Sequence, residues 1–193
     1  ALQRALDTIV ERHEVLRTVF VRRDDEAEPT QVVMSASSFE LQRQDLSALD
    51  EEQRQEAVTR ALHETGGRRF ELARGPLIRG LLVKLQEQEH LLFVSMHHIV
   101  SDGWSIGVLV DELTQLYAAY CQGRDNTLKP LPIQYADYAQ WQRQWLSGER
   151  LGQQVAFWKE ELAGAPSLLE LPTDRPRPAV QSFAGSMVPF DLD

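Results

Sequence analysis

The sequence has a single cysteine, Cys121, among its 193 residues. One thiol cannot form a disulfide within the chain, and the cysteine and histidines do not show the spacing of a zinc site. No charge-free apolar run approaches the roughly 20 residues that a membrane-spanning helix needs. The composition therefore predicts no metal site, no membrane insertion and a reducing, cytoplasmic location.

Basic residues are also scarce. Lys and Arg number 20 against 29 Asp and Glu, which gives a formal net charge of -9 and a pI near 5.1. Sequence-independent binding to a phosphate backbone depends on a Lys/Arg-rich face, so nucleic acid is not an expected partner. The 42% hydrophobic and 25% charged contents are those of a folded globular protein.

The two ends of the chain have no terminal signature of their own. The sequence begins at Ala1 without an initiator methionine or a signal-peptide pattern. It ends in a strand-like segment at 188–193, and a domain rarely closes on an unpaired strand edge. We therefore expect a piece of a longer protein.

Apolar spacing predicts an α/β domain whose sheet has helices packed against it. Helical periodicity occurs at 1–12, 51–64, 104–120, 135–145 and 153–162, with Asp45 or Ser47 as the cap of the second helix. Strand-like runs predict one hairpin from 15–21 and 31–34, and a second strand pair from 76–85 and 90–96. The run at 91–96 scarcely alternates, which favours a central strand covered on both faces. The prolines at 171–178 predict an extended connector.

The segment His97-His98-Ile99-Val100-Ser101-Asp102-Gly103-Trp104 lies where the apolar strand stops and the strongest helical pattern begins. Such junctions hold reactive groups on rigid supports. Adjacent strand residues point to opposite faces, so one histidine can face a cleft while the other packs inward. A pKa of about 6.5 suits histidine to be a general base toward an amine or hydroxyl. The histidine pair alone would more often be structural than catalytic.

The next two residues of the segment have structural interpretations of their own. Asp102 has two possible duties: it can cap the helix, where free amides and the dipole favour a carboxylate, or it can pair with a buried cation. Gly103 permits a backbone conformation or close approach that a side chain would obstruct.

Together the histidine pair, its spacing to Asp-Gly and the following Trp-Ser resemble the core motif of condensation domains in non-ribosomal peptide synthetases. The match extends over 97–105, while 12–20 resembles the family's second motif and 135–142 its fourth. Residues 70–72 and 75–79 are a further familiar stretch. The shorter His-x-x-x-Asp-Gly pattern recurs in chloramphenicol acetyltransferase. The resemblance therefore implies an α/β, chloramphenicol acetyltransferase-like lobe, in which helices pack against a mixed sheet.

The resemblance also implies roles for individual residues. His98, the second histidine of the motif, is the implied catalytic residue, acting as a base or by orienting the amine and stabilising the tetrahedral intermediate. Gly103 is implied to offer its backbone amide to the thioester or oxyanion region.

The remaining site residues are implied to be structural. His97 and Trp141 are expected to pack, and core packing is also the expectation for Trp104. Asp102 is expected to form an ion pair with an arginine of the second motif, with Arg17 as first choice and Arg12 in reserve.

The family reaction transfers an acyl or peptidyl group from the phosphopantetheine thioester of a donor carrier domain to a carrier-bound aminoacyl amine. It needs no metal and no directly bound cofactor. The implied partners are the donor and acceptor carriers, a second lobe and an adenylation domain in the parent chain. Residues 1–170 would form an N-terminal lobe truncated at its start, and 171–193 a connector and strand toward the C-terminal lobe. Because the substrate tunnel lies between lobes, we expect weak or no condensation activity from this piece alone.

Several relatives stay open as alternatives. An epimerisation domain also keeps the histidine pair, whereas a cyclisation domain usually replaces it with aspartates. A non-catalytic domain that docks carriers or recruited enzymes is a second class. A stand-alone acyltransferase with a soluble acyl donor is a third. The acyl groups and the stereochemistry do not follow from the sequence.

Overall fold

The computed structural model describes residues 1–22, 28–182, 185 and 188–191. They fall into two compact units, Ala1–Trp145 and Leu146–Asp193. Within the described residues, none of the helices has both the length and the apolar character of a membrane span. The predicted domain boundary at residue 170 stays a prediction.

All five predicted helices form. They are α1 (Leu2–Arg12), α2 (Glu51–Gly67), α3 (Gly103–Cys121), α4 (Tyr135–Trp145) and α5 (Gly148–Glu161). The predicted cap of α2 is wrong, because Asp50 accepts the Gln53 amide there. The carboxylate of Asp45 instead accepts the amide and hydroxyl of Ser47, which closes the turn before the helix.

Helix α1 lays its apolar stripe on the core of the larger unit. Ala5, Leu6, Ile9 and Val10 are buried there. They pack in one cluster with Leu77 and Ile78 from the sheet and Leu116 from α3. Because these side chains recur three and four residues apart, one face of α1 holds helix and sheet together.

The strands form a hairpin and a separate three-stranded sheet. The hairpin pairs β1 (Thr18–Val21) antiparallel with β2 (Thr30–Val33), after a 3₁₀ turn at Glu14–Arg17. The sheet has the order β3 (Leu41–Asp45), β4 (Ile78–Lys84), β5 (His90–Met96), with β3 parallel and β5 antiparallel to β4. The prediction of a mixed sheet with packed helices is therefore confirmed.

Two strand predictions need correction. Strand β3 was not predicted, because it is largely exposed and polar in sequence and carries no apolar alternation. The central position predicted for 91–96 is wrong: in the sheet of described residues β4 is central, and β5 is an edge strand of half-buried side chains. A strand with a continuous apolar run can thus be partly covered on both faces of the sheet and still be hydrogen-bonded to a neighbouring strand on one edge only.

In the smaller unit, α5 begins five residues before its predicted start at 153. The predicted proline connector at 171–178 contains no helix or strand. The strand expected at 188–193 is absent from residues 188–191, and 192–193 lie outside the described residues.

Gly80 in β4 is predicted to be intolerant of a side chain. A Cβ there would lie 2.7 Å from Cε1 and 3.0 Å from Cζ of Phe39, whose ring is only 5% exposed. Because the ring is packed in the core, Gly80→Ala is expected to lower the free energy of unfolding by about 1–3 kcal/mol. Urea denaturation measures this change.

Gly107 in α3 is the matched control. Outside its own helical turn, no described residue has an atom within 4 Å of a Cβ built at that exposed position. Gly107→Ala is expected to stabilise the protein by about 0.5–1 kcal/mol, since alanine loses less backbone entropy in a helix. An unaffected Gly80→Ala variant would refute the packing argument.

Candidate active site

The histidine segment is a short rigid link between the end of β5 and the start of α3. The His97 amide donates to the Leu77 carbonyl at 2.9 Å, which continues the sheet by one residue. The Val100 amide then closes a turn onto the His97 carbonyl at 3.0 Å, and the Val100 side chain is buried. Anchoring at both ends leaves His98 and Ile99 exposed at the tip.

His97 and His98 have different surroundings. The half-buried ring of His97 meets the ring of Phe70 edge to face, with centroids 6.0 Å apart. Its Nδ1 accepts the Ile99 amide at 3.0 Å, so a neutral His97 carries its proton on Nε2. His98 is exposed and lines a cleft of about 470 Å³. Its assignment as the catalytic residue stays a prediction.

Asp102 caps α3. Its Oδ1 accepts the Ser105 amide at 2.8 Å and the Ser105 hydroxyl at 2.7 Å, while Ser105 Oγ accepts the Asp102 amide in return. This is a reciprocal capping box. The Ser105 hydrogen bonds, side chain first and backbone second, lower the pKa of Asp102. Its carboxylate is therefore held ionised at the positive end of the helix.

The expected ion pair of Asp102 with Arg17, or with Arg12 in reserve, is not formed. Arg17 Nη1 donates to the Met34 carbonyl at 2.6 Å and Nη2 contacts Glu14 at 3.4 Å. No ion pair at Asp102 is found among the residues that the structure describes. The physical reason is local: helix capping already occupies the Asp102 carboxylate, and Arg17 ties its own turn to the end of β2.

A buried carboxylate that sequence reasoning missed organises the arginine of the second motif. Glu112 of α3 is 8% exposed, and its two oxygens accept from Arg12 Nε at 3.0 and 3.2 Å. His13 Nε2 lies 2.7 Å from Glu112 Oε2. The sequence does contain a signal for this residue: Glu112 lies on the apolar stripe of the helix, between Leu109 and Leu116, where a charged side chain is unexpected.

Three segments form the walls of the cleft beside His98. The histidine loop and Ser105 form one wall, His13 and Val15 a second, and residues of 131–138 a third. Gln134 fixes the third wall to the second: its Nε2 donates to the Arg12 carbonyl at 2.9 Å and its Oε1 accepts the Glu14 amide at 3.1 Å. A second histidine, His13, thus faces the cleft that holds His98.

Trp104 and Trp141 do not lie in the apolar core. Trp104 is 84% exposed, so its expected core position is wrong. Trp141 is 53% exposed on α4. Its ring stacks on Trp145 and meets Tyr138 at a tilt, with centroids 5.8 Å apart in both pairs. Its packing is therefore within its own helix and outside the core. The aromatic row begins at Tyr135 and Tyr138, which border the cleft.

Gly103 is the first residue of α3, and the space around it is open. The amides at the start of a helix have no partner within the helix. Asp102 accepts from Trp104 and Ser105. Among the described residues no acceptor is bonded to the Gly103 amide, which stays available at the edge of the histidine loop.

The mixed sheet covered by helices, with the histidine pair at a strand-to-helix junction, is the chloramphenicol acetyltransferase-like fold that solved condensation-domain structures share. A family model described as Condensation domain matches residues 1–193. The chain therefore belongs to the condensation domain family, the amide-forming domains of nonribosomal peptide synthetases.

The relatives agree with this assignment. A linear gramicidin synthase of Brevibacillus parabrevis is 48% identical over 186 residues, which are 96% of this chain and 2% of the synthase. The X-domain solved in complex with OxyB from teicoplanin biosynthesis is 35% identical, with a TM-score of 0.81 over 93% of this chain and 38% of that one. The chain therefore spans a small part of these relatives.

A more distant structure shows the fold alone. The epimerization domain from the third module of tyrocidine synthetase B is 23% identical, with a TM-score of 0.74 over 91% of this chain and 39% of that chain. The described residues contain no cluster of histidine, cysteine or acidic side chains arranged to hold a metal ion.

Removing the charge of Glu112 is predicted to be strongly destabilising. Glu112→Gln leaves Arg12, whose side chain is 14% exposed, without a counter-charge, which is expected to cost about 3–5 kcal/mol of unfolding free energy. The matched control is Asp125→Asn, because Arg4 and Asp125 form a surface-exposed pair at 3.5 Å that is expected to contribute nothing measurable. Chemical denaturation of both variants compares the pairs, and equal effects would contradict the assignment.

The Asp102 cap is predicted to weaken in acid. A lowered folded-state pKa gives stability that is present above the unfolded value of about 3.9 and is lost as pH falls through the folded value. Asparagine caps a helix but does not titrate. At pH values below about 4, the melting temperature of the natural chain is therefore expected to decrease relative to that of Asp102→Asn. Thermal melts from neutral to acidic pH test this, with Asp102→Ala as the uncapped control. A pH-independent difference would refute it.

Proposed function

We propose that this chain serves peptide-bond formation in non-ribosomal peptide synthesis. In that reaction an acyl or peptidyl group leaves the phosphopantetheine thioester of a donor carrier domain and joins the amine of a carrier-bound aminoacyl acceptor. The single observation that carries the proposal is the exposure of His98 in the cleft, on a loop anchored at both ends. Membership of the condensation domain family supplies the reaction class.

His98 is the proposed proton acceptor. The amine nitrogen attacks the thioester carbonyl carbon, a tetrahedral intermediate forms, and its collapse breaks the C–S bond. His98 takes the proton that the amine loses, and the departing thiolate can receive it. An alternative role is to orient the amine and stabilise the intermediate, which needs the same side chain in the same place.

Gly103 is the proposed electrostatic partner. Its amide lies at the positive end of α3 and is bonded to no described acceptor, so it can donate to the developing oxyanion. Asp102 and His97 support this arrangement, since one holds the start of α3 and the other holds the turn of the loop. Arg17 and Trp141 contribute structurally, through the hairpin and through the exposed face of α4.

The proposed partners are two carrier domains, a C-terminal lobe that completes the tunnel, and an adenylation domain in the same synthetase. Residues 1–170 are the proposed N-terminal lobe and 171–193 its connector. The phosphopantetheine belongs to the carriers, so the chain itself binds no cofactor directly. The cytosol is the proposed compartment.

A non-catalytic docking role is a second candidate. The observation in its favour is the likeness to the X-domain, whose structure was solved in complex with OxyB. Under this hypothesis the fold recruits another protein and the histidine loop performs no chemistry.

Replacement of His98 distinguishes the two candidates. In the complete condensation domain, His98→Ala is expected to slow peptide transfer between loaded donor and acceptor carriers by about 10²–10⁴-fold, the usual contribution of a general base. The fold is expected to persist, because the side chain is exposed. Single-turnover transfer followed by mass spectrometry measures the rate.

The control variant is His63→Ala, which removes an exposed histidine from α2. It is expected to leave transfer unchanged. If His98→Ala transfers at the natural rate, the catalytic assignment fails. If the unaltered domain binds carriers but never forms the amide, the docking role is favoured.

A further inference from the structure

Four arginines surround one polar depression of about 200 Å³ in the larger unit. We call it the arginine pocket, and it is lined by Glu40, Arg68, Arg69, Phe70, Glu71, Arg74, Gly75, Pro76 and Arg79. Four guanidinium groups and two carboxylates give the pocket a net positive charge. The positive charge of the pocket contrasts with the formal net charge of -9 for the whole chain.

The backbone holds these arginines in place. Arg68 is the C-cap of α2, and its amide bonds to the Glu64 carbonyl. A tight turn follows, in which the Glu71 carbonyl accepts the amides of Arg74 and Gly75 at 3.0 and 2.8 Å. Gly75 has a φ of +63°, a conformation that glycine adopts readily. The pocket is therefore built from ordered turns.

Arg79 lines the pocket and is 5% exposed. Its Nη atoms donate to the carbonyls of Arg68 and Arg69, and its guanidinium lies 3.9 Å from the centroid of the Phe70 ring. Its buried Nε has no hydrogen-bond partner among the residues that the structure describes. Burial and the charge of Arg68 lower the pKa of Arg79. A buried cation without a bonded carboxylate is uncommon in proteins.

The two carboxylates do not neutralise the pocket. Glu40 pairs with Arg68 at 2.8 Å, and the exposed Glu71 pairs with Arg74 at 3.4 Å. Among the residues that the structure describes, Arg69 and Arg79 form no ion pair. The C-terminus of α2 explains why Arg68 and Arg79 are there, because cations favour that end of a helix. It does not explain Arg69 and Arg74.

We propose that the arginine pocket binds a tetrahedral oxyanion, either free phosphate or a phosphate ester. Guanidinium groups present paired N–H donors whose geometry matches phosphate oxygens, and four of them line one pocket here, of which Arg79 is buried. A bound oxyanion supplies the negative charge that the pocket lacks. This binding does not depend on acyl transfer, so it can hold whether or not the proposed function does.

An oxyanion in the arginine pocket would also lie close enough to affect the histidine loop. Phe70 contacts the Arg79 guanidinium on its face and the His97 ring at an edge. One aromatic ring thus contacts both Arg79 of the pocket and His97, the residue that precedes His98. The imidazole resonances of His97 are expected to shift when the pocket is occupied, whereas those of His63 in α2 are not.

The test uses the unaltered 193-residue chain and inorganic phosphate at constant ionic strength. Isothermal titration calorimetry is expected to give saturable binding that chloride and acetate do not reproduce. Arg69→Gln and Arg74→Gln are each expected to weaken it at least about tenfold, since each removes a charge-assisted donor. Both side chains are exposed, so the fold is expected to survive.

Arg60→Gln is the matched control, because Arg60 is an exposed arginine of α2 outside the pocket. It is expected to bind phosphate as the natural chain does. Binding that Arg69→Gln and Arg74→Gln leave unchanged would overturn the proposal. So would phosphate that binds no better than chloride.

A comparison of 4′-phosphopantetheine with pantetheine distinguishes the two sources of the anion. Tighter binding of 4′-phosphopantetheine than of inorganic phosphate would assign the pocket to a phosphate ester. Equal binding of phosphate and ester would assign it to the phosphate group alone. Pantetheine binding as tightly as its phosphate ester would contradict an oxyanion site.

Discussion

The buried carboxylate of Glu112 is the interaction on which the geometry of the candidate site depends. It holds Arg12 and His13 at the end of α1 against the middle of α3, with a 2.7 Å contact to His13 and two contacts to Arg12. The Arg12 backbone then receives Gln134, which leads into α4. One desolvated carboxylate thus connects three segments whose positions determine the shape of the cleft beside His98.

The apolar core places the histidine loop within this frame. Helix α1 packs against α3 and the sheet, and β5 delivers the chain to His97 at the end of a hydrogen-bonded strand. The capping box of Asp102 and Ser105 then fixes the start of α3. Because strand, turn and helix are each anchored, His98 has a defined position although its side chain is exposed. The role proposed for His98, that of a proton acceptor, needs this combination of access and rigidity.

Electrostatics divides the larger unit into two kinds of polar site. Around Glu112, buried charges are matched and hydrogen-bonded, which is the arrangement expected of a structural network. Around Arg79, positive charge exceeds negative charge, and the buried Nε of Arg79 finds no partner within the described part of the chain. Phe70 lies between the arginine pocket and His97. The two sites therefore border the same loop but differ in what they can accept from outside.

The sequence by itself determined the five helices, the hairpin, the β4–β5 pair and the family, because apolar periodicity and the histidine motif are local patterns. The sequence also allowed two roles for Asp102, helix capping and ion pairing, and only the tertiary structure decided for the cap. Strand β3, the central place of β4, the exposure of Trp104 and the partners of Arg12 and Arg17 depend on contacts between residues far apart in the chain. Such contacts are determined by side-chain packing and by the desolvation of charged groups. Neither can be deduced from the spacing of residues within a short segment.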